Sequence, residues 1–343
     1  TAGTILFSTS ALGTTGNNNN TISNNIIRNR TDVVANHAYA IYSYGTNNAD
    51  KYNSGNIIAN NEILNFNNYG IYVYSYSGNG WEIKDNNFYY TSTATLAQTA
   101  ILFNATTSSA NIITGNFIGG QATNCGGSAW TNSGSAIAFM GISLNVGTAT
   151  ASSVQNNTIQ NISLTGTGAA NFTGINIGAG LVNVGNIDGN TIGHASNQYS
   201  ISNTGTSTTS GIVASVSAAT NISNNLIANM RASNIGTGAS IRGIYVSSGN
   251  GITVSSNEVR DLTASSANTT ASIYGIYTTP TAGSNTIVQN TVHTLENTAA
   301  SAATKVYGMY YSGPTTGNNI VGRNLIHSFN MSSTATSATL YGL

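Results

Sequence analysis

The feature that most constrains this chain is a recurrence. Asparagine followed two places later by Ile, Val or Phe returns at Asn25, Asn61, Asn86, Asn116, Asn157, Asn190, Asn225, Asn257, Asn290 and Asn324. The steps between them are 36, 25, 30, 41, 33, 35, 32, 33 and 34 residues. A second marker, a small residue before Ile or Met, falls at Ala40, Gly70, Ala100, Gly141, Gly174, Gly211, Gly243, Gly275 and Gly308, and Gly342 begins the next. The last four distances from Asn to the following Gly are all 18 residues. Two markers that hold phase over ten units identify a repeat array, in which each unit buries its apolar face by stacking on its neighbours.

Within a unit the period is two, which is a strand period and not a helical one. In GIYVSSGNGITVSSNEVRDL, Gly243 to Leu262, Ile244 and Val246 alternate with Tyr245 and Ser247, then Ile252 and Val254 lead to Asn257 and Val259. Three short strands are followed by a Ser/Thr/Ala-rich connection, TASSANTTASIY. The expected fold is all-β: a right-handed parallel β-helix of about ten coils, forming a single solenoid domain over 1–343. At about 4.8 Å per coil it would be a rod about 48 Å long.

The geometry explains why asparagine recurs inside an apolar pattern. Equivalent residues of successive coils stack, and an amide is both donor and acceptor. Identical asparagines at a bend can therefore hydrogen-bond along the stack, as they do in cross-β ladders. An Asn at the bend also tolerates left-handed or bridge geometry. A buried polar group without a partner costs about 1–3 kcal/mol, so the ladder requires the same residue in neighbouring coils.

Nine acidic and nine basic residues give zero net charge, and 40% of residues are hydrophobic with 18 tyrosines. That hydrophobic content argues for a packed interior and against disorder. No basic surplus exists to neutralise phosphates, so nucleic acid is not an expected partner. No apolar run approaches the roughly 20 residues that span a bilayer, so membrane insertion is not expected either. The lone Cys125 rules out an internal disulfide. The sequence opens TAGTILF, without an initiator Met or signal peptide, and closes at LYGL, the start of a further repeat; the expectation is a piece of a longer array.

Units of the form G-I-Y…I-x-x-N-x-I resemble parallel β-helix repeats of the carbohydrate-binding-and-sugar-hydrolysis type, as in large secreted surface proteins of environmental Gram-negative bacteria. The resemblance covers about Ala40 to Leu343 and rests on scaffold residues. It implies an extracellular or bacterial cell-surface protein, with glycans or other copies of the same chain as partners and no cofactor.

Chemistry has to be sought among few polar candidates. Four of the nine acids fall between positions 50 and 85, and WEIKDNNFYY, Trp81 to Tyr90, is the densest polar-aromatic segment. Tyr72, Tyr74 and Trp81 could stack on sugar rings, with Glu62, Glu82 and Asp85 as polar contacts. Glu62 and Glu82 could also sit on adjacent coils as the paired carboxylates a glycosidase needs. The same residues fit surface charges and tyrosines that cover strand edges. Arg260, His293 and His327 each follow a ladder Asn by three residues and should stack outward, but two imidazoles without an assured carboxylate are an incidental row rather than a metal site. Between Asn116 and Gly141 lie 25 residues where 18 is usual at the other end, which reads as an insertion folded on the side. The outward row Tyr42, Tyr72, Leu102, Ser143, Asn176, Val213, Tyr245, Tyr277, Tyr310 is too irregular for an ice-binding face. The leading expectation is an extracellular structural or adhesive stalk with weak glycan contact. The alternative is a polysaccharide lyase, a glycoside hydrolase or a glycan-binding module.

Overall fold

The computed structural model describes residues 4–9, 12–29, 36–216, 218–233, 240–265, 271–299, 303–332 and 337–343; part of the connection after Leu262, 266–270, lies outside them. The chain winds as a parallel β-solenoid of about nine turns. Ten ladder residues bound nine intervals, so counting markers overstates the turns by one.

Sheets of 11, 10 and 14 strands run along the solenoid. Each strand pairs in parallel with its counterpart in the next coil. Ser240–Ser248 lies on Ser272–Thr278, Thr253–Ser255 on Thr286–Val288, and Glu258–Ala264 on Thr291–Asn297. The register places Ile244 on Ile276, Val254 on Ile287 and Val259 on Val292, so like residues stack in columns. These side chains are fully buried and belong to one hydrophobic cluster running from Phe7 to Met309. Each such burial contributes about 1.5–3 kcal/mol.

The asparagine ladder forms as the repeat requires. Every Nδ2 from Asn25 to Asn290 donates to Oδ1 of the ladder residue in the next coil, at 2.8–3.1 Å. The same oxygen also accepts the backbone N–H of the preceding ladder residue, as between Asn190 and Asn225 at 3.0 Å. The left-handed conformation, however, belongs to the residue before the ladder Asn in nine of the ten units, Gly189 before Asn190 being the exception. Asn24, Asn60, Asp85, Asn156, Asn224, Ser256, Gln289 and Arg323 have φ between 50° and 60°. The division is physical: the left-handed residue turns the chain outward at the corner, which frees the next residue to point its amide inward. In the coil of Val182–Val184 this bend carries extra residues, and Gln155 Oε1 accepts the N–H groups of Ile187 and Asp188 at 3.1 Å each.

The small-residue column has an equally direct cause. A Cβ on Gly243 would lie 2.3 Å from Val259 Cγ1 across the core and 2.5 Å from the Gly275 carbonyl oxygen. Gly141, Gly174, Gly211, Gly275 and Gly308 meet the same two obstacles. The third face departs from the three-strand expectation. In the middle coils it is split into two short strands, such as Thr158–Ile159 and Ile162–Leu164, around a left-handed Asn161. Later coils merge the pair into one strand, such as Leu226–Ala232, and keep a left-handed residue at its centre. The long stretch after Asn116 is not a mere lateral insertion: Trp130 is fully buried, edge-on to Phe66 and Phe139, and Cys125 is buried as well.

Candidate functional site

In the first sheet the strand period puts Tyr42 and Tyr44 opposite the inward Ile41 and Ser43, and Tyr39, just before the buried Ala40–Ile41 pair, is also only half-buried. The next coil repeats the arrangement, with Tyr69 on Tyr39 and Tyr72 on Tyr42. Ring centroids are 5.5 Å apart for Tyr39–Tyr69, 5.4 Å for Tyr42–Tyr72 and 5.6 Å for Tyr44–Tyr74. Tyr72 and Tyr74 lie 5.3 Å apart at 60°. Several rings are tilted against one another, so the patch is a stepped aromatic terrace rather than a closed stack.

Beside the terrace is an open cleft of about 410 Å³, lined by Tyr69, Tyr72, Leu102, Asn104, Asn145 and Asn176 among others. Here the outward column changes from phenol rings to amides as the coils advance. Asn145 Nδ2 donates to Asn104 Oδ1 at 3.4 Å and Asn176 Nδ2 to Ser143 Oγ at 3.1 Å. Burial pushes the Tyr72 phenol up to about 12, while its hydrogen bond with Asn104 pulls the other way. The hydroxyl therefore stays protonated at neutral pH and can donate. Apolar ring surface next to amides is the combination that recognises hydroxyl-rich ligands.

The remaining sequence candidates go elsewhere. Trp81 has no accessible surface; its Nε1 donates to the Asn53 carbonyl at 2.9 Å and its ring meets Phe7 edge-on at 5.4 Å. It cannot stack on a sugar. Its backbone N–H reaches Asn111 Oδ1, so it occupies the slot that Asn56 and Asn285 hold in other coils, at a second and shorter ladder. Glu62 starts a strand of the 14-stranded sheet and accepts from Tyr89 Oη at 2.5 Å. Burial, and then this bond, push the Tyr89 phenol up to about 12. Glu82 belongs to the 10-stranded sheet and pairs with Lys84 at 2.6 Å. The two glutamates thus stand on different sheets and do not form a stacked pair. Asp85 is the left-handed corner residue of its coil, at φ 56°. Only Tyr72 and Tyr74 of the six candidates come together.

A second tyrosine group occupies the same sheet farther along. Tyr245–Tyr277, Tyr274–Tyr307 and Tyr307–Tyr341 stack at 4.8–5.0 Å and within 10° of parallel. Arg242 lies 4.3 Å above the Tyr245 ring. These rings spend their faces on each other and present edges. The expected outward row of Arg260, His293 and His327 also forms, with the two imidazoles 4.9 Å apart and parallel. Among the described residues no group of three or more His, Cys, Asp or Glu side chains is placed to hold a metal ion, and no helix is long and apolar enough to cross a membrane. No family model matches the chain, and no curated protein or solved structure is significantly similar to it.

Proposed function

We propose that this chain is a segment of an extracellular β-solenoid stalk or fibre at a bacterial cell surface, which extends and presents its outer faces and makes weak glycan contact at the terrace of Tyr69, Tyr72 and Tyr74. The resemblance of its G-I-Y strands and N-x-I bends to parallel β-helix repeats of the carbohydrate-binding-and-sugar-hydrolysis type supports this reading. Its partners are extracellular glycans or further copies of the same chain.

One observation carries the reading: polar residues that recur along the chain are consumed by the scaffold. The ladder asparagines bond to one another, and the carboxylates Glu62 and Glu82 are engaged by Tyr89 and Lys84 on separate sheets. What is left outward and repeated is tyrosine and amide, which bind without cleaving.

The test is a panel of polysaccharides scored both for retention and for product. Binding without new reducing ends or unsaturated sugars, and reduced by Tyr72→Ala, is the expected outcome. Turnover that disappears in Glu82→Gln would instead make the chain a carbohydrate-active enzyme.

A further inference from the structure

Charge in this chain is scarce, with nine acidic and nine basic residues in all. Five of these, Arg231, Glu258, Arg260, Asp261 and Glu296, gather around one cleft of about 300 Å³ on the outer surface of the 14-stranded sheet. The cleft is far along the chain from the terrace and shares no residue with it.

One wall comes from the segment between Thr191–Ile192 and Ile201–Asn203. His194 Nδ1 accepts the N–H groups of Ser196 and Asn197 at 3.0 and 2.9 Å, so the segment folds around its own imidazole. Asn229 Nδ2 donates to the His194 carbonyl at 2.7 Å and ties that wall to the sheet. Tyr199 lies in this wall, 38% exposed, with the Arg231 guanidinium 4.8 Å above its ring.

Arg260 braces that wall against the sheet and is fixed on three sides. Its Nε donates to Glu258 at 2.8 Å, one Nη to Asp261, and the other to the Ala195 carbonyl at 2.6 Å. Of its five N–H donors, three are used and two remain. A guanidinium held this way orders little further when it binds, which favours recognition. The floor repeats the left-handed position of this face: Asn229, Asp261 and Thr294 are left-handed at φ 55°, 51° and 53° in three successive coils. For β-branched Thr294 that conformation is an outlier, of the kind that collects at binding sites.

The geometry points to a saccharide-binding subsite in this cleft, for a neutral sugar residue held by Arg260, Asp261, Glu296, Asn229 and Gln198 against Tyr199. Fixed donors and acceptors alternate around a partly exposed ring, as hydroxyl pairs on a sugar require. The lining carries one cation and two carboxylates, Arg260 against Asp261 and Glu296, which disfavours an anionic ligand. Its volume is at the low end of the roughly 300–1,000 Å³ of small-molecule sites, enough for a single sugar unit of a longer chain.

Isothermal titration of the full chain with neutral cello-, xylo-, laminari- and malto-oligosaccharides, and with oligogalacturonate, tests this. At least one neutral series should bind and should weaken about tenfold or more in Arg260→Gln and in Tyr199→Ala. The double variant Tyr72→Ala/Tyr74→Ala should leave that loss untouched, which separates this cleft from the terrace. Gln198→Ala, which removes no partner of the Arg260 ion pairs, gives the same reading should Arg260→Gln unfold. Neutral-sugar binding indifferent to Arg260, Tyr199 and Gln198, tighter binding of oligogalacturonate, or no binding at all would each overturn the assignment.

Discussion

Replacing Asn225 by alanine is the most direct probe of what holds the rod together. Asn225 is almost fully buried. Its Oδ1 accepts the backbone N–H of Asn190 at 3.0 Å and the Asn190 side chain at 2.8 Å. Its Nδ2 reaches Asn257 Oδ1 at 3.0 Å and the carbonyls of Val184 and Ser223 at 3.1 and 2.9 Å. After truncation the Asn190 side chain keeps the Val154 carbonyl at 2.9 Å, and Asn257 Oδ1 keeps the backbone N–H of residue 225. The Asn190 backbone N–H and the carbonyls of Val184 and Ser223 lose these partners. One buried unsatisfied group costs about 1–3 kcal/mol, so the three together, with the small void, predict a loss of about 3 kcal/mol or more. The neighbouring Asn224→Ala is the control. It keeps the ladder but changes a left-handed corner at φ 60°, at about 1–2 kcal/mol, and removes the bond from Asn224 Nδ2 to the Gly185 carbonyl at 3.1 Å, at about 0.5–1.5 kcal/mol. Guanidinium denaturation followed by the emission of the buried Trp81 and Trp130 measures both. A loss at Asn225 no larger than that at Asn224 would refute the ladder as a source of stability.

Gly243→Ala should destabilise by about 1–3 kcal/mol, because the new methyl meets a carbonyl oxygen that cannot swing away. Gly322→Ala, with nothing within 4 Å of the added carbon, should stay within about 0.5 kcal/mol, and equal effects at the two sites would contradict the packing argument. Tyr72 and Tyr89 rise from 10.0 to about 12 on folding, so the fold favours their neutral forms; stability should be intact below pH 10 and decline as the pH climbs toward 12. A spectrophotometric titration in which every phenol ionises near its ordinary value while the fold persists would go against this. Burial also pushes the Cys125 thiol up to about 12, so a disulfide reagent should label it only in denaturant, and rapid labelling of the native chain would place Cys125 at the surface.

The coil and its ladder were readable because a solenoid writes its register into sequence spacing. Asn225, Asn257 and Asn290 hold one slot, and the next small residue stands where Gly243, Gly275 and Gly308 each face the same clash. Which residue takes the left-handed corner was displaced by one, because Asn suits both that corner and the ladder, and many units carry two in succession, as Asn224 and Asn225 do. Trp81 misled by its chemistry. Its slot gives it away: five places before Asn86, it matches Asn56 before Asn61, Asn111 before Asn116 and Asn285 before Asn290, an inward-facing position. The same counting separates Glu62, one place after its ladder Asn, from Glu82, four places before the next. Slots that differ fall on different sheets. The terrace was half visible, through Tyr72 and Tyr74, and becomes complete when Tyr39, Tyr42, Tyr44 and Tyr69 are set in register. The cleft at Tyr199 and Arg260 left little trace, since it joins residues from several coils and depends on a segment closed by His194.

The ladder also gives the molecule a heading. Each amide hands its hydrogen to the coil that follows, from Asn25 through to Asn324, and none of the nine links is reversed. Amide dipoles in such a file align and polarise one another, so an interior link is stronger than an isolated pair would be. The two directions along the axis are therefore electrically distinct, and a substitution at Asn157 or Asn190 weakens the links on both of its sides.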